Sequence, residues 1–138
     1  MIVIDASVAF KWIQYKNEEY RSEAQIIYKN HQTQKQTILI PSLFFIEIAN
    51  ALATKSATTV SQSNKALKFI FKSALNKYEP DQTDILRATK LAKKYKTSVY
   101  DMLYAVIAKT NKCILITADE NFVTKTGFKF VKHISQVQ

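Results

Sequence analysis

Four acidic residues stand in surroundings that do not suit a charge. Asp5 closes the apolar run Ile2-Val3-Ile4, and Asp119 follows Ile114-Leu115-Ile116-Thr117-Ala118. Glu47 is the only charge in Leu43-Phe44-Phe45-Ile46-Glu47-Ile48-Ala49, and Asp101 the only charge in Val99-Tyr100-Asp101-Met102-Leu103-Tyr104-Ala105. A charge among apolar residues is costly to bury unless it is paired or bound to a cation. The other seven of the 11 acids, Glu18, Glu19, Glu23, Glu79, Asp81, Asp84 and Glu120, have polar neighbours and read as solvated surface groups.

His31 and His133 lie outside these runs and Cys113 is the sole thiol, so a site made of the four acids has only oxygen donors. Oxygen ligands select Mg²⁺ or Mn²⁺ over Zn²⁺. The 20 Lys and Arg outnumber the acids to give a net charge of +9 and a pI near 9.6. Such a balance favours an acidic partner, nucleic acid first, although it also keeps a small protein soluble. Converging carboxylates, a hard divalent cation and a basic exterior together describe phosphodiester hydrolysis. The cation would offset carboxylate repulsion, activate a water and stabilise charge on the phosphate.

Short strands must position these acids. Ile2 to Ile4 reads as a strand feeding a helix with Ser7 as N-cap, and Thr37 to Ile40 as a second strand closed by Pro41. A helix from about Asn17 to Gln34 carries one thin apolar stripe, Tyr20, Ala24, Ile27 and Tyr28. The helix from Pro41 to Lys55 is apolar almost all round, which predicts burial. Ser61 to Leu75 is amphipathic with Lys65, Lys68 and Lys72 on one side; Asp81 caps a helix running toward Lys96; Val99 to Thr110 is an apolar helix. Asn111 is placed to adopt a left-handed cap before the strand Cys113 to Ile116, and Gly127 sets off a last strand, Phe128 to Val131. Asp5 and Asp119 then fall at the carboxyl ends of strands, the edge where open parallel sheets bind ligands. The alternation predicts an α/β fold, a parallel sheet covered on both faces, in one domain spanning residues 1–138.

The same composition excludes other classes. One glycine rules out Walker or Rossmann phosphate loops, and one cysteine rules out an intramolecular disulfide framework or a cysteine-cluster zinc site. The absence of a basic leader, and of any apolar run long enough to span a bilayer, leads us to expect a cytoplasmic protein with no membrane partner.

Each acid also has a plainer reading. Asp5, Asp101 and Asp119 suit helix N-caps. Glu47 lies in mid-helix, where the plain alternative is a buried ion pair with a lysine. The lysines of the amphipathic helix line an RNA path or simply form its solvated face. Tyr100 and Tyr104 read as core packing, His31 and His133 as ordinary surface residues, and Cys113 as a small buried hydrophobe.

Taken in order, Ile4-Asp5-Ala6-Ser7, Pro41-Ser42 leading to Glu47 with Asn50-Ala51-Leu52, Tyr100-Asp101 with Ala105 and Ala108, and Leu115-Ile116-Thr117-Ala118-Asp119 resemble the PIN-domain ribonucleases. The resemblance is closest to the toxin member of VapB and VapC type toxin–antitoxin pairs. It implies a three-layer α/β/α fold on about five parallel strands, Mg²⁺ or Mn²⁺ dependence, endonucleolytic cleavage of RNA, homodimerisation and a cognate antitoxin. Carried over residue by residue, Asp5, Glu47, Asp101 and Asp119 would be the catalytic, metal-binding acids, with Ser7 or Thr117 as polar groups behind them. Where the family often has glycine before the strand leading to the last acid, this chain has Asn111-Lys112. An antitoxin would insert an arginine among the carboxylates and cover a rim made by Phe10, Trp12, Tyr15, Phe44 and Phe45. The competing readings are a non-toxin RNA-processing nuclease, a catalytically silent RNA-binding or scaffold module, and a phospho-accepting receiver domain. The last wants a pair of acids after the first strand, whereas Ala6-Ser7 follows Asp5.

Overall fold

Val, Ile and Leu runs too short for helices form the three central strands of the sheet. The computed structural model describes residues 1–14 and 18–138. Strands β1 (Ile2–Ile4), β2 (Ile38–Ile40), β3 (Asn76–Lys77), β4 (Ile114–Thr117) and β5 (Val131–His133) form one parallel sheet in the order β3-β2-β1-β4-β5. The central three strands are almost wholly buried, as sheets covered on both faces require. Between β1 and β2 run α1 (Ala6–Ile13) and α2 (Arg21–Gln32), and between β2 and β3 run α3 (Leu43–Thr54) and α4 (Val60–Phe71). Helices α5 (Gln82–Tyr95) and α6 (Val99–Thr110) lead to β4, and α7 (Glu120–Thr126) to β5. Helix α6 packs on β1 and β4 with α5 outside it, while α1 packs against α2 and α3, giving three layers.

Strands β1 and β4 are neighbours in register Ile2 with Ile114 through Ile4 with Ile116, yet the chain leaves β1 for β2 and β4 for β5, on opposite sides. This topological switch opens a crevice at their carboxyl ends. Asp5 lies one residue beyond β1, and Asp119 two beyond β4.

Several sequence expectations are corrected. Asp5, not Ser7, caps α1, accepting the Ser7 N–H at 3.1 Å. Helix α3 is buried only along Phe44, Ile48 and Leu52, and Ile46 is 67% exposed, because the helix touches the core along a single stripe. The left-handed residue after α6 is Lys112 (φ 52°), not Asn111 (φ −91°). The Cys113 N–H bonds to the Ala108 carbonyl and the Lys112 N–H to that of Lys109, a Schellman closure whose geometry puts the left-handed residue one position later. The final strand starts at Val131, since Phe128 to Phe130 turn back after Gly127, and β3 is an exposed edge pair with no apolar signal. Helix α2 begins at Arg21; the expected start at Asn17 lies outside the described residues. Trp12 and Phe44 are core residues rather than rim surface, the Trp12 Nε1–H donating to the Ala24 carbonyl at 2.8 Å. Tyr15 lies outside the described residues.

Two other residues are less exposed than their sequence neighbourhoods suggest. Asp84 is buried; it accepts from the Tyr78 hydroxyl at 2.8 Å, the Asp81 N–H at 3.2 Å and the Thr110 hydroxyl at 3.3 Å, so it joins the start of α5 to the end of α6. That bond and burial push the Tyr78 hydroxyl up to about 12. His31 accepts the Ile38 N–H on Nδ1, which leaves Nε2–H to donate to the Ala74 carbonyl at 3.1 Å. Among the described residues no helix is long and apolar enough to cross a membrane.

Candidate active site

The parallel register that sets Ile4 beside Ile116 brings Asp5 to the level of Thr117, and two hydroxyls fasten the strand ends there. Ser7 Oγ donates to Asp5 Oδ1 and accepts the Ala118 N–H at 3.0 Å. The fully buried Thr117 hydroxyl accepts the Asp119 N–H at 3.0 Å and lies close enough to the Asp5 carboxylate to favour its charged form. Burial pushes the Asp5 carboxyl up to about 6 against both hydroxyls, and the charge of Asp101 adds to the rise.

Glu47 lies one turn into α3, beside buried Phe44 and Ile48. It makes no ion pair with a lysine; Lys11 with Glu18, at 2.8 Å, is the one ion pair among the described residues. Its partner is instead the Tyr104 hydroxyl, which donates to Oε1 at 2.8 Å. Burial raises the Glu47 carboxyl above the usual range; the Tyr104 bond opposes this, the charges of Asp5 and Asp101 add to it, and Lys55 opposes it weakly.

Asp101 is not the cap of α6. Ser98 is, its hydroxyl accepting the Asp101 N–H at 3.1 Å, so the carboxylate of Asp101 is left for other work in the first turn. Burial raises it too, with the Ser98 bond opposing and Asp119 adding repulsion. Asp119 does cap a helix, accepting the Phe122 N–H at 3.0 Å, and it is exposed at the rim.

Asp5, Glu47 and Asp101 therefore stand within electrostatic reach of one another, and Asp119 within reach of Asp101. As the side chains stand, no group of three or more His, Cys, Asp or Glu among the described residues is drawn together closely enough to hold a metal ion. The donors are carboxylate oxygens with no ion pair to a protein cation among the described residues, a set whose chemistry fits a hard divalent ion. Two surface grooves, of about 840 and 510 Å³, lie elsewhere, along α4; Lys65, Lys68 and Phe69 face the first, and none of the four acids lines either.

Tyr104 is the residue that sequence reasoning missed. Its apolar neighbours suggested core packing, and it is indeed fully buried. The signal was its spacing: three residues after Asp101, it lies on the same face of α6. Tyr100, by contrast, is 62% exposed and packs in no core.

Residues 2–127 match the PIN domain family, and the chain belongs to it. Among curated proteins no sequence matches significantly. In fold the chain is similar to PAE2754 from Pyrobaculum aerophilum, with 19% identity and a TM-score of 0.72 over 97% of this chain and 89% of that one. It is also similar to a chain of a toxin–antitoxin complex from Klebsiella pneumoniae, with 14% identity and a TM-score of 0.69 over 97% and 98%. A third is VapC20 of Mycobacterium tuberculosis, a toxin that cleaves the sarcin–ricin loop, with 12% identity and a TM-score of 0.68 over 96% and 99%.

Proposed function

We propose that this chain is a metal-dependent endoribonuclease and the toxin of a toxin–antitoxin pair. The observation that carries the reading is Glu47: a half-buried mid-helix carboxylate with no lysine paired to it, held by a tyrosine and facing the repulsion of Asp5 and Asp101. A purely structural acid at that position would be paired. Asp5, Glu47, Asp101 and Asp119 would hold Mg²⁺ or Mn²⁺. That ion would supply charge neutralisation, an activated water and stabilisation of the phosphate in the transition state.

The chain's own groups do the rest. Ser7 orients Asp5 by a hydrogen bond to its carboxylate and joins it to the end of β4, where the Thr117 hydroxyl favours its charged form. Ser98 takes over the capping of α6, which keeps Asp101 from being spent on its own helix. The net charge of +9 draws a polyanion to the surface. Support for a toxin comes from the fold shared with the toxin VapC20 and with a chain of the Klebsiella toxin–antitoxin complex. Ile46 and Leu86, exposed on α3 and α5, offer apolar surface to an antitoxin or a second copy of the chain. An antitoxin arginine would pair bidentately with the carboxylates and compete for the oxygens a metal needs.

Expression alone should arrest growth of the host cell, a small co-encoded protein should restore it, and Asp5→Asn should remove the arrest. A wild-type chain that is folded, abundant and harmless would sink the toxin assignment in favour of RNA processing or a silent module.

A further inference from the structure

We infer that Tyr104 is a positioning residue: its hydroxyl holds the Glu47 carboxylate in the orientation that receives the divalent ion. The inference rests on the metal-binding reading above. Tyr104 is fully buried within the run Met102 to Ala108, every member of which is buried, so its ring has no freedom to follow Glu47. Glutamate, by contrast, has a long flexible side chain whose ordering opposes binding. The 2.8 Å bond fixes one oxygen, Oε1, and leaves Oε2 for another ligand. It also ties α6, which bears Asp101, to α3, which bears Glu47, across 57 positions of sequence. A hydroxyl-to-carboxylate bond of this kind is charge-assisted, and its donor, the Tyr104 hydroxyl, sits on a fully buried residue. The alternative is a core tyrosine that merely satisfies its hydroxyl on the nearest acceptor.

Direct binding of Mn²⁺ to the metal-free protein, followed by paramagnetic resonance of the free ion, separates the two. Wild type, Tyr104→Phe, Glu47→Ala and the double variant would be compared. If Tyr104 acts through Glu47, Tyr104→Phe weakens Mn²⁺ binding about 10-fold or more, the range for loss of a partner behind a metal ligand. In the Glu47→Ala background the same change should then have less than about a 2-fold effect, because no carboxylate remains to orient. Equal losses in both backgrounds, or none in either, overturn the positioning role while leaving the metal site intact. A wild-type protein that binds no Mn²⁺ overturns the metal reading itself, and the role of Tyr104 with it. Should Tyr104→Phe not fold, wild-type protein labelled at tyrosine Cζ and titrated with Mg²⁺ decides the matter: the buried tyrosine resonance shifts on saturation, and a resonance that stays still overturns the proposal.

Discussion

Asp5 combines three roles at a strand end: it caps α1, it accepts from the Ser7 hydroxyl, and it carries a charge that its burial disfavours. Which effect wins decides the behaviour of the metal-free protein. The carboxyl is raised from 3.8 to about 6, so the folded chain holds this proton more tightly than the unfolded one. The resulting stability is complete below the unfolded value and falls as pH rises through the folded one. Asp5→Asn removes the charge but keeps an oxygen to accept the Ser7 N–H. Without metal it should therefore melt above wild type at pH 8, with the gap closing toward pH 4, as calorimetry across that range will show. A variant melting lower at pH 8 would mean that the carboxylate's hydrogen bonds outweigh its desolvation.

At the scale of the elements, caps decided where the acids became available. Asp5 and Asp119 are indeed helix caps, as their positions before Ala6 and Glu120 suggested, whereas Ser98 displaced Asp101 from that duty. The sequence signal for Ser98 was a capping serine three residues before an acid, the spacing of a capping box. Apolar periodicity located α6 to the residue and α5 from its Asp81 cap. It failed at β3 and β5, whose pairing is set by the backbone of a neighbouring strand rather than by their own side chains. Closure of α6 is also a backbone matter, and Lys112 there sits at a φ of 52°. The left-handed region costs a non-glycine residue roughly 1–2 kcal/mol, offset in part by glycine's greater freedom when unfolded. Lys112→Gly should stabilise the protein by about 0.5–1 kcal/mol in urea unfolding. No gain would show that the lysine relieves the strain through contacts of its own.

For the whole molecule, the chain order of the acids hides their proximity. Asp5, Glu47, Asp101 and Asp119 come from four different segments, and only the order β3-β2-β1-β4-β5 brings those segments to one edge of the sheet. Strand runs ending in acids made that edge legible in sequence, as did lone charges in apolar helices. The hydroxyls of Ser7 and Thr117 were legible only by resemblance. The Tyr104 bond was not, since a tyrosine flanked by Leu103 and Ala105 looks like any core residue until its hydroxyl finds an acceptor on another helix. Whether these acids work together on RNA is the central question. Purified chain incubated with a mixed RNA pool should cleave it internally in Mg²⁺ or Mn²⁺ and leave it intact in EDTA. Asp5→Asn and Asp101→Asn should each abolish cleavage, and the double variant should be little worse than either, as expected of groups that act as a unit. Cleavage that persists in EDTA, or that survives both substitutions, would contradict a metal-dependent site built on these carboxylates.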